Sequence, residues 1–345
     1  MATLRGVWLT NVDSSILNSK HQIREAMQLL ADTGFNYLFP VVWNKGYTLY
    51  PSPTLRKLIG VEIAPAFQGR DPLAEVVEAA HAFGLKVIPW FEYGFAASYG
   101  HPGPILQARP DWAAQDQQGK LLNKNGFNWL NALHPDVQTF LLDLILEVVQ
   151  TYDVDGIQGD DRLPALPSEG GYDDYTQQLY RREFGAPPAH CKQQAWLQWR
   201  ADRLTEFLAR LRKAVKTVNP ELLISMAPSP YPFGFTEYLQ DVPAWLQQGL
   251  VDLLHPQLYR RDLRAYRGLV NELINQFPAH LPIIAPGVLT KFGSYTISPD
   301  LLWDCIQVNR RSGLGGEVLF FYEGLRINDR AIAKRLQARG YAKLR

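Results

Sequence analysis

The chain has 345 residues, with 35 basic and 34 acidic side chains and a formal charge of +1. That balance makes a polyanion a poor partner, and with no Lys/Arg-rich run and no nucleic-acid module, nucleic-acid binding is set aside. No apolar run approaches the length of a membrane span, and two distant cysteines, Cys191 and Cys305, fit neither a disulfide framework nor a metal-ligand spacing.

Hydrophobic residues make up 46% of the chain, ample for a large core, and the length suits one large α/β barrel as well as two smaller domains. Most of the nine Trp and sixteen Tyr belong to that core, but such rings are also what sugar faces stack on. The N-terminus lacks the charged and apolar regions of a signal peptide, and the first strand begins almost at once, at Arg5. The compartment stays open: cytoplasmic, or exported if a leader has been removed.

In chain order, residues 5–12 read as a first strand, and Ser19 to Asp32 as an amphipathic helix stopped by Gly34. Tyr37 to Trp43 is a nearly continuous apolar run, the pattern of a strand covered on both faces. Asp71-Pro72 opens a helix that runs through Phe83, and Leu85 to Tyr93 is a third strand. Residues 94–133 read as a long irregular loop, a length that points to function. A helix from His134 to Tyr152 leads to the fourth strand, Asp155 to Asp160, and helices are expected at 172–184 and 193–218. Strands at 222–227, 251–259, 281–288 and 316–322 follow, separated by helices near 238–248, 263–277 and 299–311, with a last helix from about Asn328.

Eight strands, each followed by a helix, predict an α/β fold: a single (β/α)8 TIM barrel over residues 1–345, with the long loop after strand 3 over the C-terminal face. No Gly-x-Gly-x-x-Gly follows the first strand, and no P-loop, His-Glu-x-x-His or Gly-x-Ser-x-Gly is found.

In such a barrel the chemistry sits at the C-terminal strand ends. These ends carry Trp43 and Asn44, Glu92 after Trp90, Asp160 and Asp161 followed by Arg162, Gln257 and Tyr259, and Tyr322 and Glu323. They are rich in acids, amides and rings and poor in histidine. A metal hydrolase would want a His/Asp cluster, whereas glycoside hydrolysis wants two carboxyls with donors and rings around them. Gln257 and Tyr259 share a strand face with His255, which as a lone histidine reads as core. Asp241, just ahead of a helix, reads as a cap.

Three segments resemble a known family. They are Arg5-Gly6-Val7-Trp8-Leu9-Thr10, Tyr152-Asp153-Val154-Asp155-Gly156-Ile157 ending in Asp160-Asp161, and residues 245–259 with His255-Pro256-Gln257-Leu258-Tyr259. Together they resemble the bacterial glycosyl-hydrolase-like proteins long described as a domain of unknown function. The resemblance implies a (β/α)8 barrel distantly related to α-amylase-type and α-galactosidase-type glycosidases, with some members acting on bacterial cell-wall glycan. It also implies a nucleophile or charge stabiliser at Asp160 or Asp161. The amylase-like acid after strand 5 is missing, since that strand ends in Ala227-Pro228-Ser229-Pro230.

The expectation is therefore a glycoside hydrolase acting on a poly- or oligosaccharide, with Asp160 or Asp161 as nucleophile or base. Glu92, and next Glu323, stands as general acid; Trp43, Asn44, Trp90, Arg162, Gln257 and Tyr259 bind substrate. No cofactor or metal is called for. A carbohydrate-binding barrel without turnover is the alternative, and a metal-dependent deacetylase a more distant one. Oligomeric state is not legible.

Overall fold

The computed structural model describes residues 3–185 and 190–343. Strands and helices alternate as β1 (Leu4–Leu9), α1 (Lys20–Thr33), β2 (Tyr37–Pro40), α2 (Pro72–Ala82), β3 (Lys86–Val87), α3 (Pro135–Thr151), β4 (Gly156–Gly159) and α4 (Gln194–Val218). The second half continues as β5 (Leu223–Met226), α5 (Val242–Gln247), β6 (Leu253–Leu254), α6 (Leu263–Gln276), β7 (Gly287–Leu289), α7 (Pro299–Arg311), β8 (Gly316–Phe320) and α8 (Glu323–Ala338). Parallel pairing gives two runs, β7-β8-β1-β2-β3 and β6-β5-β4.

Single bridges join the two seams. Trp90 pairs with Gln158 just beyond β3, while Leu254 with Ile284 and Gln257 with Gly287 link the sixth and seventh strands. The eight strands thus follow one another in a ring, and β3 and β7 lie four places apart, on opposite sides of it.

Local chemistry sets the helix bounds. The Ser19 hydroxyl accepts the Gln22 N–H at the head of α1, and Gly34, at φ 101°, ends it in the left-handed conformation that costs glycine no Cβ clash. Asp71 caps α2 in the same way, with proline at its first position, and α7 begins at Pro299 after a Ser298 cap.

Paired strands are shorter than the apolar runs that mark them. In residues 37–43, β2 ends at Pro40, and Trp43–Asn44 turns back against Tyr47–Thr48 in a hairpin. In 281–288 the chain opens with a 3-10 turn, Leu281–Ile283, before β7. The helix expected at 238–248 is two, Phe233–Tyr238 and α5, divided at Leu239. The last helix starts at Glu323, with a non-helical break at Ile327 to Arg330.

The segment 94–133 is not irregular. It holds a three-stranded antiparallel sheet, Ala96–Tyr99, Phe127–Trp129 and Asn123–Lys124, and a helix, Gly103–Ala108. Asn125 and Gly126, both at positive φ, form the two-residue turn between its last two strands.

Inside the ring, Trp8 contacts Phe39, Trp90, His255 and Phe320 at centroid distances of 5.8–6.4 Å. This aromatic plug is the floor of what lies above it. Removing a buried ring of this size costs about 3–5 kcal/mol.

Candidate active site

Strand β4 aims the site. Its Gln158, fully buried, accepts the Trp8 indole N–H at 2.6 Å and donates to Ser225 Oγ at 3.0 Å, which fixes the strand inside the ring. At Gly159 a Cβ would run into the Leu163 carbonyl and the Met226 sulfur, so only glycine lets the strand lie this close to them. Asp160 follows at the rim.

Asp160 is 2% exposed and caged by donors. Its Oδ1 accepts Gln257 Nε2 at 2.5 Å and the Asp161 backbone N–H at 2.6 Å. Its Oδ2 accepts Trp90 Nε1 at 2.9 Å and Arg162 Nη2 at 3.3 Å. All four are donors, the partners an ionised carboxylate takes. Burial and the adjacent Asp161 charge nevertheless push its pKa well above the usual carboxylate range, while Arg162 and the backbone N–H pull it back.

Arg162 binds the acids into one cluster. Its guanidinium lies 3.1 Å from Asp161 Oδ1 and 3.8 Å from Glu92 Oε1, and its Nε donates to the Glu92 carbonyl at 2.9 Å. The same guanidinium sits 4.8 Å from the centroid of Phe127. Glu92, at the end of the third strand run, accepts from the Asn44 amide, and burial raises its pKa against the opposing pull of Arg162. The other amide atom, Asn44 Oδ1, is buried with no hydrogen-bond partner.

These groups border a cleft of about 410 Å³. Trp8, Trp90 and Phe320 line its apolar part, and Glu92, Asp160, Asp161 and Arg162 its charged part. Tyr259 stacks on Phe320 at 5.0 Å, and burial raises its phenol well above the ordinary value, so it stands there as a neutral hydroxyl.

Of the residues singled out from sequence, Glu92, Trp90, Asp160, Asp161, Arg162, Gln257 and Tyr259 meet at this cleft. Asn44 touches Glu92 instead of lining the space. Trp43 is fully buried, its indole N–H given to the Gly94 carbonyl at 2.9 Å and its ring edge-on to Phe140, so it packs and offers no face to a ligand. Trp90 is 3% exposed and serves Asp160 through its N–H.

Glu323 is not brought to the cleft. It accepts Ser14 Oγ at 2.8 Å and Arg326 Nε at 2.6 Å beside a separate small pocket. His255 is core, fully buried, its pKa lowered to about 4 by burial. Asp241 caps α5 through the Ala244 N–H.

Sequence reading passes over Phe127, Phe292 and Arg261, which also line the cleft. Phe127 and Phe292 lie on hairpins, and the Asn125-Gly126 pair was the available signal for the first. Among the described residues no group of three or more His, Cys, Asp or Glu is placed to hold a metal ion, and no helix is long and apolar enough to cross a membrane.

A parallel eight-stranded ring with carboxyls beyond its strand ends is the frame of the barrel glycosidases. Solved structures share this fold. The PgaB (BpsB) glycoside hydrolase domain from Bordetella bronchiseptica superposes with a TM-score of 0.73 at 13% identity, over 96% of this chain and 98% of that one. The catalytic domain of β-amylase from Paenibacillus polymyxa gives 0.67 at 13% identity, over 99% and 98%.

Residues 3–298 match glycosyl hydrolase-like 10 (GHL10), and the chain belongs to this family. The glycosyl hydrolase DigH of Escherichia coli K12 is 26% identical over 295 residues, 74% of this chain and 65% of that protein. The glycosyl hydrolase YngK of Bacillus subtilis is 25% identical over 324 residues, 81% of this chain and 60% of that protein. The chain thus spans less than two thirds of these relatives.

Proposed function

We propose that the chain hydrolyses a glycosidic bond in a poly- or oligosaccharide, bacterial cell-wall glycan being the first candidate. The observation that carries this reading is three carboxyls, Glu92, Asp160 and Asp161, gathered around the single guanidinium of Arg162 in the cleft. Each contact of unit charges at about 4 Å is worth about 4 kcal/mol at an effective dielectric near 20. Attraction to one cation therefore does not offset desolvation and the mutual repulsion of three anions. One carboxyl of the cluster keeps its proton above the ordinary carboxylate range.

The hydrogen-bond partners support one division of roles. Asp160 receives four donors and has the surroundings of an anion, as nucleophile or stabiliser of the oxocarbenium-like charge; Asp161, more exposed, is the second choice. Burial pushes Asp160 up further than Glu92, but all four Asp160 contacts are donors, so Glu92 is given the shared proton and the role of general acid. As placed, the Asn44 amide donates to Glu92, and a protonated Glu92 would call for that amide to turn over and present its unpartnered Oδ1. Gln257 and Tyr259 hold hydroxyls. The separation of the working carboxyls, about 5 Å for retention or about 6.5–9.5 Å for inversion, governs stereochemistry.

The rival reading, a carbohydrate-binding barrel without turnover, rests on the acid-free segment Ala227-Pro228-Ser229-Pro230 after β5. Reducing-end release from a panel of polysaccharides that includes cell-wall glycan separates the two. Turnover by wild type, with Glu92→Gln active only on aryl glycosides whose leaving group needs no proton, supports the acid assignment. Binding with no turnover on any member supports the rival.

A further inference from the structure

Two hairpins follow strands on opposite sides of the ring. One comes after β3, Asn123–Lys124 with Phe127–Trp129, the latter paired with Ala96–Tyr99; the other after β7, Lys291–Phe292 with Tyr295–Thr296. Each carries a ring in solvent: Phe292 is 64% exposed and Tyr99 56%. Both lead into the cleft that holds the acids. Phe292 lines it from the β7 side, and Phe127 lines it from the β3 side with Tyr99 packed on it at 5.2 Å.

Neither exposure is explained by the core. Phe292 ranks with Phe184 as the most exposed of the seven large apolar side chains in solvent among the described residues. A phenylalanine held in water on a two-stranded hairpin gives up the roughly 1.5–3 kcal/mol that full burial would supply. What sets Phe292 apart from Phe184 is its place: it lines the cleft that holds the acids. Phe127 is moreover held in place from beneath by the Arg162 guanidinium, the group that gathers the carboxyls.

Resting on the glycosidase reading above, we propose that Phe292 on one side, and Tyr99 with Phe127 on the other, are stacking platforms for an unbranched glycan. The chain lies across the diameter of the barrel mouth, so Glu92 and Asp160 meet an internal bond and not a chain end. The flat faces of successive sugars would cover the rings, and the carboxyl cluster borders the same cleft beside Phe127.

The test uses cell-wall glycan strands of two to ten sugars, freed of peptide, as a length ladder. Wild type should cut the ten-sugar strand into mid-length products, with kcat/KM rising with strand length. Phe292→Ala and Tyr99→Ala should each lower kcat/KM on the ten-sugar strand by roughly five- to tenfold. The loss should grow with strand length, and the Tm should stay within a few degrees of wild type, since both rings are largely exposed. Wild type releasing only terminal sugars, or both variants matching wild type at every length, overturns the inference while leaving the glycosidase reading intact. A folded wild type that cuts no strand overturns cell-wall glycan as substrate, and this inference with it.

Discussion

At the two ends of the barrel, buried charge is organised in different ways. Near the start of β8, Glu317 is fully buried and accepts Arg310 Nη2 at 2.6 Å and the Tyr341 hydroxyl at 2.7 Å. There one acid meets one cation, and burial raises the acid's pKa against the pull of Arg310. Beyond the end of β4, three acids share one cation and border open space. The first arrangement balances its charges and ties α7 and the C-terminal turn to the wall. The second leaves an excess of carboxylate that solvent-side ligands can reach. An unbalanced buried cluster at the C-terminal strand ends is a sign of chemistry, and a balanced one at the other end a sign of stability.

Substitutions can break this contrast. The largest effect is expected for Asp160→Asn, which should lower kcat by about 10³-fold or more while shifting Tm by only a few degrees. Glu317→Gln should do the reverse. It leaves the Arg310 charge buried without its anion, at a cost of about 3–5 kcal/mol in denaturant unfolding, with activity per folded molecule unchanged.

The pH response sharpens the same contrast. In the proposed role of general acid Glu92 acts protonated, so wild-type kcat should fall as pH rises through its raised pKa, and Glu92→Gln should lose that limb along with roughly 10²-fold or more in rate on natural linkages. The stability sign follows from the same shift. A carboxyl whose folded pKa is raised stabilises most below its unfolded value, and that contribution is lost as pH rises through the folded value. Relative to wild type, Glu92→Gln should therefore gain Tm between pH 4 and pH 8, on the order of 1–3 °C. The smallest effect is expected for Glu323→Gln. Its partner Arg326 is half exposed, so the loss should be about 1 kcal/mol or less, with kcat within about twofold of wild type.

Much of this was legible in the sequence where a single periodicity or cap governs. Ser19, Gly34, Asp71 and Pro299 each act within one turn of their own position, and the helices they bound fall where expected. The acids at the end of β4 were visible because a strand end is a local feature. What failed depended on partners distant in sequence. Trp43 and Glu323 sit at strand ends like the true cleft residues, and only packing against Phe140 and Ser14 removes them from it. The fourfold cage of Asp160 draws on Trp90 and Gln257, residues 70 and 97 positions away, which no local pattern encodes. The hairpins bearing Phe127 and Phe292 are only two or three residues to a strand, too short for an alternation to register.

The most direct test sets the two charge clusters side by side. Reducing-end release from cell-wall glycan would be measured for wild type, Asp160→Asn and Glu317→Gln, each normalised to the folded fraction by circular dichroism. The account predicts turnover in wild type and Glu317→Gln and a loss of about 10³-fold or more in Asp160→Asn at nearly native stability. Equal turnover in Asp160→Asn and wild type would contradict it.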